Sequence, residues 1–220
     1  MEVSYREEGV ASAASSVAGR LVADGVPARL AAGDPTLWGE DAEREAAVRL
    51  GWLTLPRYSR ELLPVLGGLV ERARAAGLTN VVLAGMGGSS LAAEVICATA
   101  DVPLTVLDTT DPGQVRRALA EQLDATVVVV AGKSGATVET DSLLRIYERL
   151  FTDAGLPPAG RVVVVTDPGS PLEKRAVEAG YDLVLAQPDV GGRFSALSAF
   201  GLVPGALAGA DVARRPGRAR

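Results

Sequence analysis

Three short stretches hold residues whose types and spacing could do chemistry. "GMGGSS" (residues 85–90) places three glycines and two serines directly after an apolar run. "GKSGAT" (132–137) places Lys133, Ser134 and Thr137 after another, and "GGRF" (191–194) sets Arg193 behind Gly191 and Gly192. Glycine lets a backbone turn sharply and approach a ligand closely. Hydroxyls and the free N–H groups at a helix start bind anions. A lysine adds charge, and an arginine grips oxyanions through a planar fork. What the three share is the means to hold an anion, a phosphate foremost. Each alone also has a plainer reading: a tight strand-to-helix turn, a solvated lysine, an ion pair of Arg193 with Asp189. "GMGGSS" is not G-x-G-x-x-G, although Asp108 at the end of the next strand leaves a dinucleotide site open. "GKSGAT" lacks the spacing of a Walker loop.

These stretches need elements to position them. "NVVLAG" (80–85), "PLTVLD" (103–108), "ATVVVVAG" (125–132), "RVVVVTD" (161–167) and "YDLVLA" (181–186) are short, β-branched and apolar without alternation. Such runs mark strands of a parallel sheet covered on both faces. Helical stretches at 89–99, 112–122, 137–153 and 170–179 lie between them, with Pro112, Ser170 and Pro171 suited to helix starts. The pattern predicts an α/β fold: a five-stranded parallel, doubly wound sheet preceded by a helical N-terminal region. Ligands in such sheets sit at the carboxyl ends of strands, where strand order reverses. The helical region reads as 10–25, 41–53 and 59–77, the last capped by Ser59 and closed by Gly77, with Pro64 too deep for a first turn. Trp38 and Trp52 read as its cover.

Composition removes several function classes. The 220 residues suffice for a sizeable core, and the net charge of −5 gives no nucleic-acid footprint. There is no histidine, which excludes imidazole metal sites and a histidine base within this chain. No metal or cofactor is expected. The single cysteine, Cys97, sits among apolar neighbours and reads as packing; it cannot form an internal disulfide, which suits a reducing compartment. No apolar run reaches the roughly 18 residues of a membrane span. The polar start "MEVSYREEGV" is not a signal peptide. A cytoplasmic protein with no membrane partner is expected.

"GMGGSSL", "GKSGATVET" and "VGGRFSALSAFGL", in that order, resemble the glucose-6-phosphate isomerase family and its first sugar isomerase (SIS) domain, a flavodoxin-like fold. "TLWG" and "RLGWL" upstream resemble its GC-rich bacterial branch. The resemblance runs to about residue 212. It implies a helical region over 1–78, a sugar-phosphate-binding SIS domain over 79–212, and a basic tail over 213–220 that reads as aberrant, a natural tail being the alternative. The family interconverts glucose 6-phosphate and fructose 6-phosphate, opening the ring and moving a proton between C1 and C2 through a cis-enediol. By position, the resemblance makes Gly88 and Ser89 substrate contacts and Lys133, Ser134 and Thr137 the phosphate loop. Gly192 and Arg193 fall beside the enediol, with Arg193 the catalytic charge stabiliser. Gly132 stands where the family's loop has a serine, which removes one hydroxyl. The family's proton-transferring glutamate and ring-opening histidine lie downstream of the arginine motif. The chain therefore reads as truncated and inactive alone, from a family that forms homodimers when full-length. Two alternatives stay open: a stand-alone sugar-phosphate-binding SIS module, and a piece of a fused transaldolase–isomerase. Truncation also predicts that "FSALSAFGLVPGALAG" is an exposed apolar patch that promotes association.

Overall fold

A computed structural model describes residues 8–119 and 122–213. The expectation for the basic tail thus falls, apart from Ala213, outside the described residues. Contacts divide the chain into Met1–Leu53 and Thr54–Arg220.

The first unit contains helices α1 (Glu8–Ala23), α2 (Val26–Ala31) and α3 (Glu40–Ala46), with a 3-10 turn at Pro35–Trp38. Asp34 caps that turn. Its carboxylate accepts from the Thr36 hydroxyl at 2.6 Å, from Arg29 at 2.6 Å and from the Thr36 N–H at 2.9 Å. These bonds, led by the Thr36 hydroxyl, hold its pKa at about 2. Trp38 is 47% exposed and closes a turn that packs against α3, so it covers this unit only in part. The helix expected over 41–53 ends at Ala46, and a separate 3-10 turn spans Gly51–Thr54.

The second unit begins with α4 (Leu55–Ala75). Ser59 does not cap this helix: it starts four residues earlier, with Pro56 in the first turn, where a missing N–H costs nothing. Pro64 stays inside the helix on its exposed side, and the carbonyl it leaves unbonded belongs to exposed Arg60. Leu62, Leu66, Leu69 and Ala73 of α4 pack into the core on one face of the sheet, so this helix, grouped by sequence with residues 1–78, folds with the strands.

The strands are β1 (Asn80–Gly85), β2 (Thr105–Leu107), β3 (Thr126–Gly132), β4 (Val162–Thr166) and β5 (Asp182–Leu185). All pair in parallel in the order β2-β1-β3-β4-β5. Between and after them run α5 (Leu91–Ala100), α6 (Pro112–Leu119), α7 (Val138–Asp153), α8 (Pro171–Ala179) and α9 (Ala199–Ala208). The register explains the apolar runs. Val81, Leu83, Val127, Val129, Val163 and Val165 face α4, α5 and α9. Val82, Val128, Val130, Val162 and Val164 face α6, α7 and α8. Each such side chain contributes about 1.5–3 kcal/mol by leaving water. The sheet is the predicted doubly wound α/β architecture. Its order reverses between β1 and β3, and the right-handed crossovers accordingly place α5 on one face and α6 on the other.

α9 overturns an expectation. Ala199 through Ala206 are buried, against α4, α5 and the sheet. A helix apolar on every side is a core helix, not a surface awaiting a cover. Of the large apolar residues in "FSALSAFGLVPGALAG", Phe194 (56% exposed) and Leu197 (40%), in the 3-10 segment before α9, project outward. Cys97 of α5 is buried in the same layer, and burial pushes its thiol pKa up. The folded protein at pH 8 is expected to resist an aromatic disulfide reagent that labels the denatured chain at once. Rapid labelling of the folded chain would show that this layer opens.

Candidate functional site

Gly85 and Ala131 are paired in the sheet, so the loops after β1 and β3 leave it side by side at the reversal point. After β1 the chain makes a 3-10 turn, Gly87–Ser89, and enters α5 through Ser90. Gly87 needs its lack of a side chain, having φ of +55°. After β3 the loop 133–137 enters α7 through Thr137, and Gly135 (φ +64°) is pressed against the start of α8.

The helix starts differ in a telling way. Asp111 caps α6 by accepting from Gln114 N–H at 2.6 Å. Ser170 caps α8 by accepting from Glu173 N–H at 3.1 Å, as its sequence position predicts. Ser198 caps α9. The N-caps of α5 and α7, Ser90 and Thr137, make no side-chain capping bond. Ser90 Oγ instead donates to Gly87 O at 3.0 Å. The two helices that flank the reversal point therefore aim unused N–H groups and their dipoles at the same crevice. Ser134 is exposed there, its Oγ accepting from Ala136 N–H at 3.3 Å. Ser89 is half-buried beside Gly85.

The third stretch reaches this crevice from β5. Residues 186–191 form a strap, followed by a 3-10 segment, Gly192–Leu197. A Cβ on Gly88 would lie 2.9 Å from the carbonyl carbon of Gly192, so two glycine backbones meet where the site loops touch. Buried Ser195 fixes that contact: its Oγ lies 2.7 Å from Gly192 O and 3.0 Å from Gly88 O. Arg193 opens the 3-10 segment rather than an α-helix, is exposed, and forms no ion pair with Asp189 among the described residues. Gly88, Ser89, Gly192 and Arg193 thus come together, with Ser134 and Thr137 at the neighbouring helix start.

Lys133 is placed differently from a lysine open to a ligand. Its Nζ lies 2.6 Å from Asp167 Oδ2, 3.2 Å from Gln187 O and 3.1 Å from Pro188 O. Sequence reasoning missed Asp167 and Ser195. The available signal for Asp167 was its position just past Thr166, which ends a run of buried valines, at the carboxyl end of β4, where such sheets keep their chemistry. A cavity of about 230 Å³ lies on the far side of the α7 start, towards α8, lined in part by Gly135, Thr137, Arg145 and Arg175. Both arginines are paired, Arg145 with Asp141 at 2.7 Å and Arg175 with Asp141 and Glu148.

No protein-family model matches the chain. Sequence relatives do. A glucose-6-phosphate isomerase of Cyanothece sp. is 37% identical over 168 residues, 72% of this chain and 32% of that protein. A probable glucose-6-phosphate isomerase of Haloarcula marismortui is 42% identical over 139 residues, 60% of this chain and 31% of that protein. The chain is a relative of the glucose-6-phosphate isomerases. It spans about a third of the length of the curated isomerases it matches. Solved structures agree. A glucose-6-phosphate isomerase from Chlamydia trachomatis superposes with a TM-score of 0.62 at 27% identity, covering 81% of this chain and 34% of that one. A hypothetical protein from Thermus thermophilus superposes with a TM-score of 0.73 at 31% identity, covering 91% of this chain and 47% of that one.

Proposed function

We propose that this chain supplies the sugar-phosphate cradle and the enediolate-stabilising arginine of a glucose-6-phosphate isomerase. The observation that carries this reading is the pair of uncapped helix starts at the β1/β3 reversal, with the Gly192 backbone beside Arg193 packed on Gly88. The phosphate sits at the start of α7, held by loop N–H groups of 133–137 and the hydroxyls of Ser134 and Thr137. Gly88 and Ser89 contact the sugar from the β1 side, with Gly192 closing against Gly88. The cradle lies within residues 79–212, to which α4 adds part of the core. In the reaction a base removes the proton from C2 of the open-chain aldose and the proton returns at C1. Arg193 stabilises the negative charge on the enediolate between those steps, a contribution that depends on a fixed cation aimed at developing charge. The chain contains no histidine to open the ring. As a 220-residue chain it binds without turnover, and catalysis needs groups supplied by further isomerase sequence, in a homodimeric, cytoplasmic enzyme.

Calorimetric titration with glucose 6-phosphate, inorganic phosphate and glucose tests this reading. Both phosphate-bearing ligands should bind and glucose should not. Equal binding of glucose, or none of the three, would overturn it. So would hydrogen exchange at C2 catalysed by the chain alone, since that would locate a base within it.

A further inference from the structure

An ammonium has three N–H donors. Lys133 has three acceptors within reach, the Asp167 carboxylate and the carbonyls of Gln187 and Pro188. Nothing is left for a phosphate in this arrangement. Those carbonyls belong to the strap that delivers Arg193, and the strap's other end is fixed by Ser195 at Gly88. Asp167 is tied to the phosphate loop a second time, its N–H donating to Lys133 O at 3.3 Å. Its remaining oxygen, Oδ1, is buried without a hydrogen-bond partner. A buried carboxylate oxygen left without a partner is costly and calls for a reason. Here the reason is the charge and aim it gives Lys133.

We propose that Lys133 and Asp167 form an anchor that joins the phosphate loop to the Arg193 strap, making both positioning residues and the Lys133 side chain no phosphate ligand. The inference deepens the sugar-phosphate reading and rests on it for the meaning of Arg193, but the anchor itself can be tested without a ligand. Phosphate seated on the loop and the guanidinium over the sugar then share one rigid support. An anchor also explains why the charge pair lies among the ends of β3, β4 and β5 rather than facing the β1 loop.

Asp167→Asn separates the two roles because they predict opposite signs. If Lys133 were a phosphate ligand, removing the carboxylate that occupies it would free the ammonium and tighten inorganic phosphate about tenfold or more. If it is an anchor, inorganic phosphate affinity stays within about threefold, which is roughly 0.65 kcal/mol. The strap loosens instead. The amides of Val190 and Phe194, bonded to Gln187 O and Gly191 O, should exchange at least about tenfold faster while β3 and β4 keep their protection. Lys133→Met should loosen the strap in the same way, and Lys133→Arg, which keeps the charge, should restore much of its protection. Unchanged exchange at Val190 and Phe194, or tightened phosphate in Asp167→Asn, overturns the proposal. If the wild-type chain binds no phosphate at all, the sugar-phosphate reading fails and strap exchange alone decides the anchor. Should Lys133→Met not fold, Asp167→Asn, which preserves shape, carries the test.

Discussion

Gly88→Ala is expected to abolish sugar-phosphate binding while leaving the sheet folded. The new methyl would lie 2.9 Å from the carbonyl carbon of Gly192 and 3.0 Å from its Cα and O, all backbone atoms that cannot swing aside. The β1 and β5 loops would have to part, breaking the Ser195 contact that joins them. Overpacking of this kind costs about 1–3 kcal/mol, which a chain with this much buried sheet should survive. Binding suffers more than stability, because the displaced atoms carry Ser89 on one side and Arg193 on the other. Gly67→Ala is the matched control. It lies in α4 with nothing within 4 Å of the added methyl, so stability should hold or rise by up to about 1 kcal/mol. Thermal unfolding and calorimetry on both variants check the contrast. Normal ligand affinity in Gly88→Ala would show that the two loops are not one site.

Arg193→Ala should leave the fold untouched, since the side chain is exposed and unpaired among the described residues. Its effect is reserved for charge near C1 and C2. A five-carbon aldonate phosphate carries a carboxylate where the enediolate charge would develop, and so reports on this arginine in a chain that does not turn over. Its affinity should fall about 10²–10³-fold, or 2.7–4 kcal/mol, the range seen when one oxyanion donor is removed. Inorganic phosphate should bind Arg193→Ala about as well as wild type. Arg193→Lys should recover only part of the analogue's affinity, because an ammonium cannot present two parallel donors to a carboxylate. Equal losses for phosphate and analogue would move Arg193 into the phosphate cradle and away from the reacting carbons.

Much of this architecture is legible in the sequence because it is local. Four valines in a row at 127–130 and again at 162–165 leave no polar face, which only a strand covered on both sides can use. The loops of the site follow as the ends of those strands. What the sequence hides depends on strand order. Ser90 and Thr137 look as much like capping residues as Ser170 and Ser198, yet only the second pair caps its helix. Asp167 lies 34 residues from Lys133, and Gln187 lies 54 away. Their meeting is set by the neighbouring positions of β3, β4 and β5, not by any spacing. α9 departs from its expected place for the opposite reason. Its uninterrupted apolar character suits a core helix equally well, and the core is where its packing against α4 and α5 puts it.

On the proposed function, a sugar phosphate sits across the reversal point with its phosphate on α7. A crystal structure of the chain grown with fructose 6-phosphate tests it most directly. The phosphate is expected at the start of α7, within hydrogen-bond reach of the Ser134 and Thr137 hydroxyls, with C1 and C2 turned towards Arg193. A phosphate seated instead in the cavity between α7 and α8, or a sugar with its reacting carbons turned away from Arg193, would contradict it.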